Sequence, residues 1–209
     1  MASSSRRIML GAFALMPALA LAPMMAHAAT PSASVAEQFI TQTGKQMVSV
    51  VNGNDSTSQK AAALRQIVNQ NVAVPQIGKF VLGRYWNIAT PAQRTEYMGL
   101  FHQLLATNIT TQIRAYKGVT FKVTGATASP EGEAVDTVIS RPGEQPANVQ
   151  WMVQTVGGAP KIVDVIVEGT SLRVTERSDY SAVINDHGGQ VDALLSAMKQ
   201  QVARARAAG

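Results

Sequence analysis

Hydrophobic positions along this chain fall into three successive rhythms. From residue 34 to about 116 they recur at intervals of three and four, the spacing of helices with one buried face. Ser34 with Glu37 three residues on is a capping-box pattern, and Val35, Phe39, Ile40, Met47 and Val51 follow it as a first amphipathic helix. The turn-forming run Gly53-Asn54-Asp55 ends that helix, and Ala61, Leu64, Ile67, Val68 and Val72 predict a second one stopping before Pro75. A short helical piece from Gln76 to about Gly83 leads to Thr90-Pro91, a strong helix start. Threonine serves as N-cap, proline stands where its missing N–H costs nothing, and Gln93 closes the box. Tyr97, Leu100, Phe101, Leu104, Leu105, Ile109, Ile113 and Tyr116 then form one apolar stripe ended by Lys117-Gly118. This predicts a helix of about seven turns.

From Val119 the period becomes two. Val119, Phe121 and Val123 alternate with polar residues up to the turn "SPEG"; Val135, Thr137 and Ile139 form a second run before "RPGE". Val149, Trp151 and Val153 mark a third strand, and Gly157-Gly158 turns it into a fourth, Lys161 to Glu168. After Gly169 the helical period returns through Tyr180, Val183 and Ile184 and, past Gly188-Gly189, through Val191, Leu194, Leu195, Met198 and Val202. Helices, meander, helices: the predicted class is α+β, a four-stranded antiparallel curved sheet with helices packed on one face.

Residues 1–28 stand outside this pattern. A basic start, an apolar run and Ala26-His27-Ala28 as a small-residue cleavage box read as an export signal. Ser5-Arg6-Arg7 fits a twin-arginine route and a Sec route equally. Its removal leaves residues 29–209 as a single domain. It also takes away Arg6 and Arg7 but no acid, so the net charge drops from +5 to +3, too little for a nucleic-acid binder. With no cysteine, stability rests on packing alone.

Candidate chemistry is sparse. His102 lies one step beside the long apolar stripe and His187 in a Gly-flanked turn, neither in a catalytic setting. No His, Cys, Asp or Glu pair has metal-ligand spacing, so neither a catalytic residue nor a metal site is assigned. Ser171 follows a strand without the second glycine of a nucleophile elbow. Asp164 interrupts the fourth strand; strict alternation puts it on the face of Ile162, Ile166 and Glu168, opposite Val163, Val165 and Val167. It reads as a structural carboxylate, with a general base as the alternative. Lys199, Arg204 and Arg206 read as a solvated helix end or a docking contact. The stretch from Phe80 to Phe101 concentrates five aromatic residues in a chain only 5% aromatic, with no reactive group beside them. By periodicity alone such rings are core.

The runs "KFVLGRYWNIATPAQRTEY", "AYKG" and "VDVIVEGTSLRVTERSDYSAVINDHGG" are similar to the MlaC family of periplasmic phospholipid-binding proteins, within the toluene-tolerance proteins, over roughly residues 35 to 200. Relatives usually carry a tryptophan and a tyrosine entering the fourth strand; "GGAPKIVD" has neither, and Val163 takes the tyrosine-like place. That departure leaves the preferred lipid open, a hopanoid included. The resemblance implies a periplasmic, monomeric, non-enzymatic carrier with no cofactor and a bound phospholipid as ligand, its acyl chains in a cavity between sheet and helices. Its implied partners are an outer-membrane lipoprotein–porin complex and an inner-membrane ABC transporter complex with a lipid-binding ring. The residues it points to are Phe80, Tyr85 and Trp86 closing one end, Leu100, Leu104 and Ile113 from the long helix, and Val149, Trp151, Val153, Val163, Val165 and Val167 from the sheet. Arg84 stands either near the headgroup or simply at the surface. Two rival classes stand beside it: a cavity-based isomerase or hydrolase, which needs Asp164 and His102 inside that cavity, and a structural envelope adaptor, which needs a solid core and no cavity.

Overall fold

Serine side chains start three of the helices. In the computed structural model, which describes residues 30–111 and 116–208, helix α1 (Ala33–Asn52) is capped by Ser32, whose hydroxyl accepts from the Val35 N–H. The cap thus falls two residues before the expected Ser34. Helix α2 (Thr57–Asn71) opens on a complete capping box between Ser56 and Gln59. Helix α3 (Val74–Leu82) and the single turn α4 (Tyr85–Ile88) lead to α5 (Pro91–Thr111), where Thr90 and Gln93 bond reciprocally as the spacing predicts. The export signal expected over 1–28, and the last turn of the long helix with Ile113, lie outside the described residues.

The chain then makes an antiparallel meander: β1 (Thr120–Ser129), β2 (Gly132–Ser140), β3 (Ala147–Val156), β4 (Ala159–Val167) and the two-residue β5 (Thr170–Ser171). Strand order follows chain order. The four long strands match the alternating runs; β5 is too short to carry a pattern of its own. Gly157 and Gly158, both at positive φ, form the two-residue β3–β4 turn that needs left-handed backbone at both positions. β4 is covered along its outer edge in two pieces, by β5 at Ile166–Val167 and by the α2–α3 link, where Val72 bridges Ile162 in parallel. Ser171 caps α6 (Leu172–Asp186), and α7 (Val191–Ala208) completes the chain.

Two cores form. One is helical: Tyr97, Leu100, Phe101 and Leu104 of α5 pack with Val81 and Leu82 of α3, Tyr180 and Ile184 of α6, and Leu194, Leu195 and Met198 of α7. The other lies between α1 and the sheet, with Ala36 and Ile40 against Val135, Val153 and Ile162. Gly44 makes the second possible, because a Cβ there would stand 2.5 Å from the ring of Phe121 on β1. The helix backbone therefore lies directly on the Phe121 ring.

Candidate functional site

A bulge in β4 decides which residues share the apolar face of the sheet. Met152 pairs with Asp164 and Val153 with Ile162, which leaves Val163 as the extra residue. Ile162 and Val165 consequently lie with Val135, Trp151 and Val153 under α1. Val163, fully buried, packs instead with Ala73, Ala134 and Met152 on the opposite face. The alternation expected for "KIVDVIVEG" fails at this step. Ile162, expected with Asp164, joins the α1 face, and Val163, expected with Val165 and Val167, leaves it.

The α1-side face presents hydrocarbon with its polar atoms already bonded. Trp151 Nε1 donates to Thr137 Oγ1 at 2.9 Å, and that hydroxyl donates to Val149 O at 2.7 Å, so indole and hydroxyl satisfy each other. Val153 is fully buried and Val149 nearly so, while Trp151, Val165 and Ile139 are half-buried. The face is sealed where α1 lies on it and more open towards Ile139, which packs with Met47, Ile67 and Tyr116.

The residues expected to form one slot fall into separate clusters. Phe80, Tyr85, Trp86, Leu100 and Leu104 belong to the helical core; Trp151, Val153 and Val165 belong to the α1–sheet layer. Tyr85 is buried and hydrogen-bonded: its hydroxyl donates to Asn185 Oδ1 and accepts from Arg84, which is exposed and also donates to Asn185. The elements that actually cover the sheet face contribute Phe39 and Ile40 from α1 and Val72 after α2, joined by Val135, Thr137 and Ile162 of the sheet. Phe39 and Ile40 were legible as an apolar helical stripe; the bulge that recruits Ile162 leaves no mark in the alternation.

Where an open hollow was expected, the described interlayer beneath α1 is filled by the side chains of Ala36, Ile40, Val135, Val153 and Ile162. Two open clefts lie elsewhere. One, of about 610 Å³, runs between α1 and the free edge of β1, lined by Glu37, Gln38, Thr41, Gln42, Lys45, Val123, Thr124 and Gly125. The other, of about 460 Å³, lies among α3, α4 and α6.

The groups that an enzyme would need are committed elsewhere. Asp164, 4% exposed, accepts from the Val165 and Arg173 N–H groups and from Ser171 Oγ. Arg173 Nε lies 3.2 Å from its Oδ2, an ion-pair distance with poor hydrogen-bond alignment. Asp164 therefore ties β4 to the start of α6, the structural role. His102 Nε2 pairs with Asn69 Oδ1 across α5 and α2, and His187 Nδ1 accompanies the Val183 carbonyl at the end of α6. Among the described residues no group of three His, Cys, Asp or Glu side chains is placed to hold a metal.

A curved antiparallel meander with one hydrocarbon face, roofed by a helix and joined to a helical bundle, defines a non-barrel α+β domain with an apolar interlayer. The family described as MlaC protein matches residues 41–200, and the chain belongs to that family. Its fold is also that of a phospholipid-binding protein from Ralstonia solanacearum, solved in complex with a phospholipid. That likeness has a TM-score of 0.70 at 20% sequence identity and spans 82% of this chain and 98% of the other.

Proposed function

We propose that this protein is a periplasmic lipid carrier that holds the acyl chains of a phospholipid against the α1-side face of the sheet. It shuttles them between an outer-membrane lipoprotein–porin complex and an inner-membrane ABC transporter. The observation that carries the reading is the half-covered hydrocarbon surface of Trp151, Val165 and Ile139, whose single polar handle, the indole N–H, is spent on Thr137. Membership of the MlaC family and the phospholipid held by the Ralstonia solanacearum protein support it.

Magnitudes set the mechanism. Burial is worth about 0.8 kcal/mol per methylene, so two chains of roughly thirty methylenes gain on the order of 20 kcal/mol over water. Escape into water is then negligible, whereas transfer to a bilayer buries the same surface and is nearly balanced. The carrier accordingly delivers on docking, when α1 and the sheet separate enough to exchange the chains. α1 suits that movement because it holds the sheet by apolar contact rather than by a covalent link.

Organic extraction and mass spectrometry of the purified protein test the proposal. A co-purifying phospholipid, or uptake of labelled phospholipid from vesicles, is expected; finding neither under gentle purification removes the reading.

A further inference from the structure

Away from the apolar face, five cations gather on aromatic rings. Arg173 and Arg177 of α6 lie 4.4 and 5.0 Å from the ring centre of Phe80 on α3. Lys79 of α3 and Arg94 of α5 lie 5.9 and 5.4 Å from that of Trp86 on α4, and Arg84 stands over Tyr85. The cleft of about 460 Å³ among these elements is lined by Lys79, Arg84 and Arg177 and by no carboxylate. Arg173 is ion-paired with Asp164 and Glu131, and Arg94 is held by the Trp86 and Asn87 carbonyls. Among the described residues Lys79, Arg84 and Arg177 have no carboxylate partner.

The arrangement depends on a missing side chain. Gly83 ends α3 at φ 57, and a Cβ there would meet Arg177 Nε at 2.8 Å. Any other residue would push the guanidinium off the helix end. The same elements also carry three of the four large hydrophobic side chains left most exposed among the described residues: Ile88 at 64% on α4, and Leu172 at 50% and Val174 at 52% in the first turn of α6.

We propose that this face is a docking surface for an anionic phospholipid bilayer. Cations with no carboxylate partner attract the headgroup phosphates, and half-exposed rings such as those of Phe80 and Trp86 suit the headgroup level. Exposed aliphatic side chains gain by entering the acyl boundary. A free phosphate ion, or a polypeptide offering acidic groups alone, satisfies the cations and leaves Ile88, Leu172 and Val174 in water. A bilayer offers both phosphate and hydrocarbon. The inference stands apart from the cargo reading, because these residues belong to α3, α4 and α6 and not to the sheet face.

Co-sedimentation with vesicles tests it, using phosphatidylcholine alone and phosphatidylcholine with phosphatidylglycerol at low and high salt. Binding is expected only with the anionic lipid and is expected to weaken with salt. Each cation near such a surface contributes about a fivefold factor, so Lys79→Gln, Arg84→Gln and Arg177→Gln together lower affinity about a hundredfold. Arg84→Lys with Arg177→Lys keeps affinity within a few-fold, an outcome a merely structural role would not give, and Leu172→Ser with Val174→Ser weakens it several-fold. Extraction of the same variants reads cargo separately and is expected to be unchanged. No binding at low salt, equal binding to neutral vesicles, or capture by polyglutamate in preference to anionic vesicles overturns the proposal.

Discussion

The indole N–H of Trp151 reaches diagonally across the β2–β3 pair to Thr137, whose own proton goes to the Val149 carbonyl. Thr137 is 2% exposed, so no water replaces it. Thr137→Val removes the hydroxyl at nearly constant shape, orphans the indole donor and takes one donor away from the Val149 carbonyl. The expected loss is about 1–3 kcal/mol in urea unfolding. A shift in Trp151 emission, read in a Trp86→Phe background, is expected with it. An unchanged midpoint would mean that the pair contributes nothing to stability.

Asp164 and Arg173 fix the junction between sheet and helices. Removing the carboxylate by Asp164→Ala leaves Arg173, whose side chain is 10% exposed, facing the vacated site with only Glu131 to compensate. Breaking a buried pair from one side costs about 3–5 kcal/mol, and Glu131 holds the loss to the lower end of that range. A double-mutant cycle with Arg173→Met measures it: the double variant is expected to be more stable than Asp164→Ala alone.

Tyr97 and Tyr180 meet edge to face at 6.2 Å in the helical core. Burial pushes both phenol pKa values well above the ordinary 10.0, and the neighbouring charge of Glu176 adds to it. The folded state therefore holds these protons more tightly than the unfolded chain does. The corresponding stability is complete below the unfolded value and is lost as pH rises through the folded ones. Stability is expected to fall above about pH 10, by up to about 1.4 kcal/mol per pH unit for each tyrosine. Tyr180→Phe should flatten that slope in denaturation series between pH 9 and 11. A parallel wild-type slope would place the alkaline effect elsewhere.

How much of this was legible beforehand follows from what each signal depends on. Element type came through wherever period and caps agreed, as at Thr90-Pro91 and along β1 to β4, because both are local. The sequence points to Ser34 and not to Ser32 as the first cap, because Ser34 with Glu37 makes a better local box than the one the chain uses. The site was less legible. Leu100 and Leu104 were expected to face the sheet, but an apolar stripe says that a helix is buried without saying against what, and α5 buries its stripe in the bundle. Alternation alone puts Val163 on the wrong face, because a bulge is set by pairing between strands and not by the strand's own sequence.

Gly44 tests how closely α1 must lie on β1. An alanine gains about 1 kcal/mol in helix propensity, against overpacking of about 1–3 kcal/mol where its Cβ meets the Phe121 ring. Gly44→Ala is expected to destabilise by about 1 kcal/mol net, and Gly44→Ala with Phe121→Leu to recover most of it. A stabilised single variant would show that the ring yields freely and that α1 is not held close.

Val163 and Val165 are two residues apart and would share one face in an unbroken strand, yet the bulge sends them to opposite sides of the sheet. That separates stability from cargo binding within one strand. Val163, 0% exposed and enclosed by Ala73, Ala134 and Met152, has no route to a ligand on the α1 side. Val163→Ala should cost about 2 kcal/mol through the cavity it leaves, with the amount of extractable phospholipid unchanged. Val165 is half-buried on the face proposed to hold acyl chains. Val165→Gln should cost less stability, because its amide reaches solvent in the empty protein. Acyl chains would bury that amide without a partner, a penalty of about 1–3 kcal/mol, so retained lipid should fall about tenfold or more. Lipid loss in the Val163 variant with none in the Val165 variant would put the ligand on the wrong face for the proposed carrier.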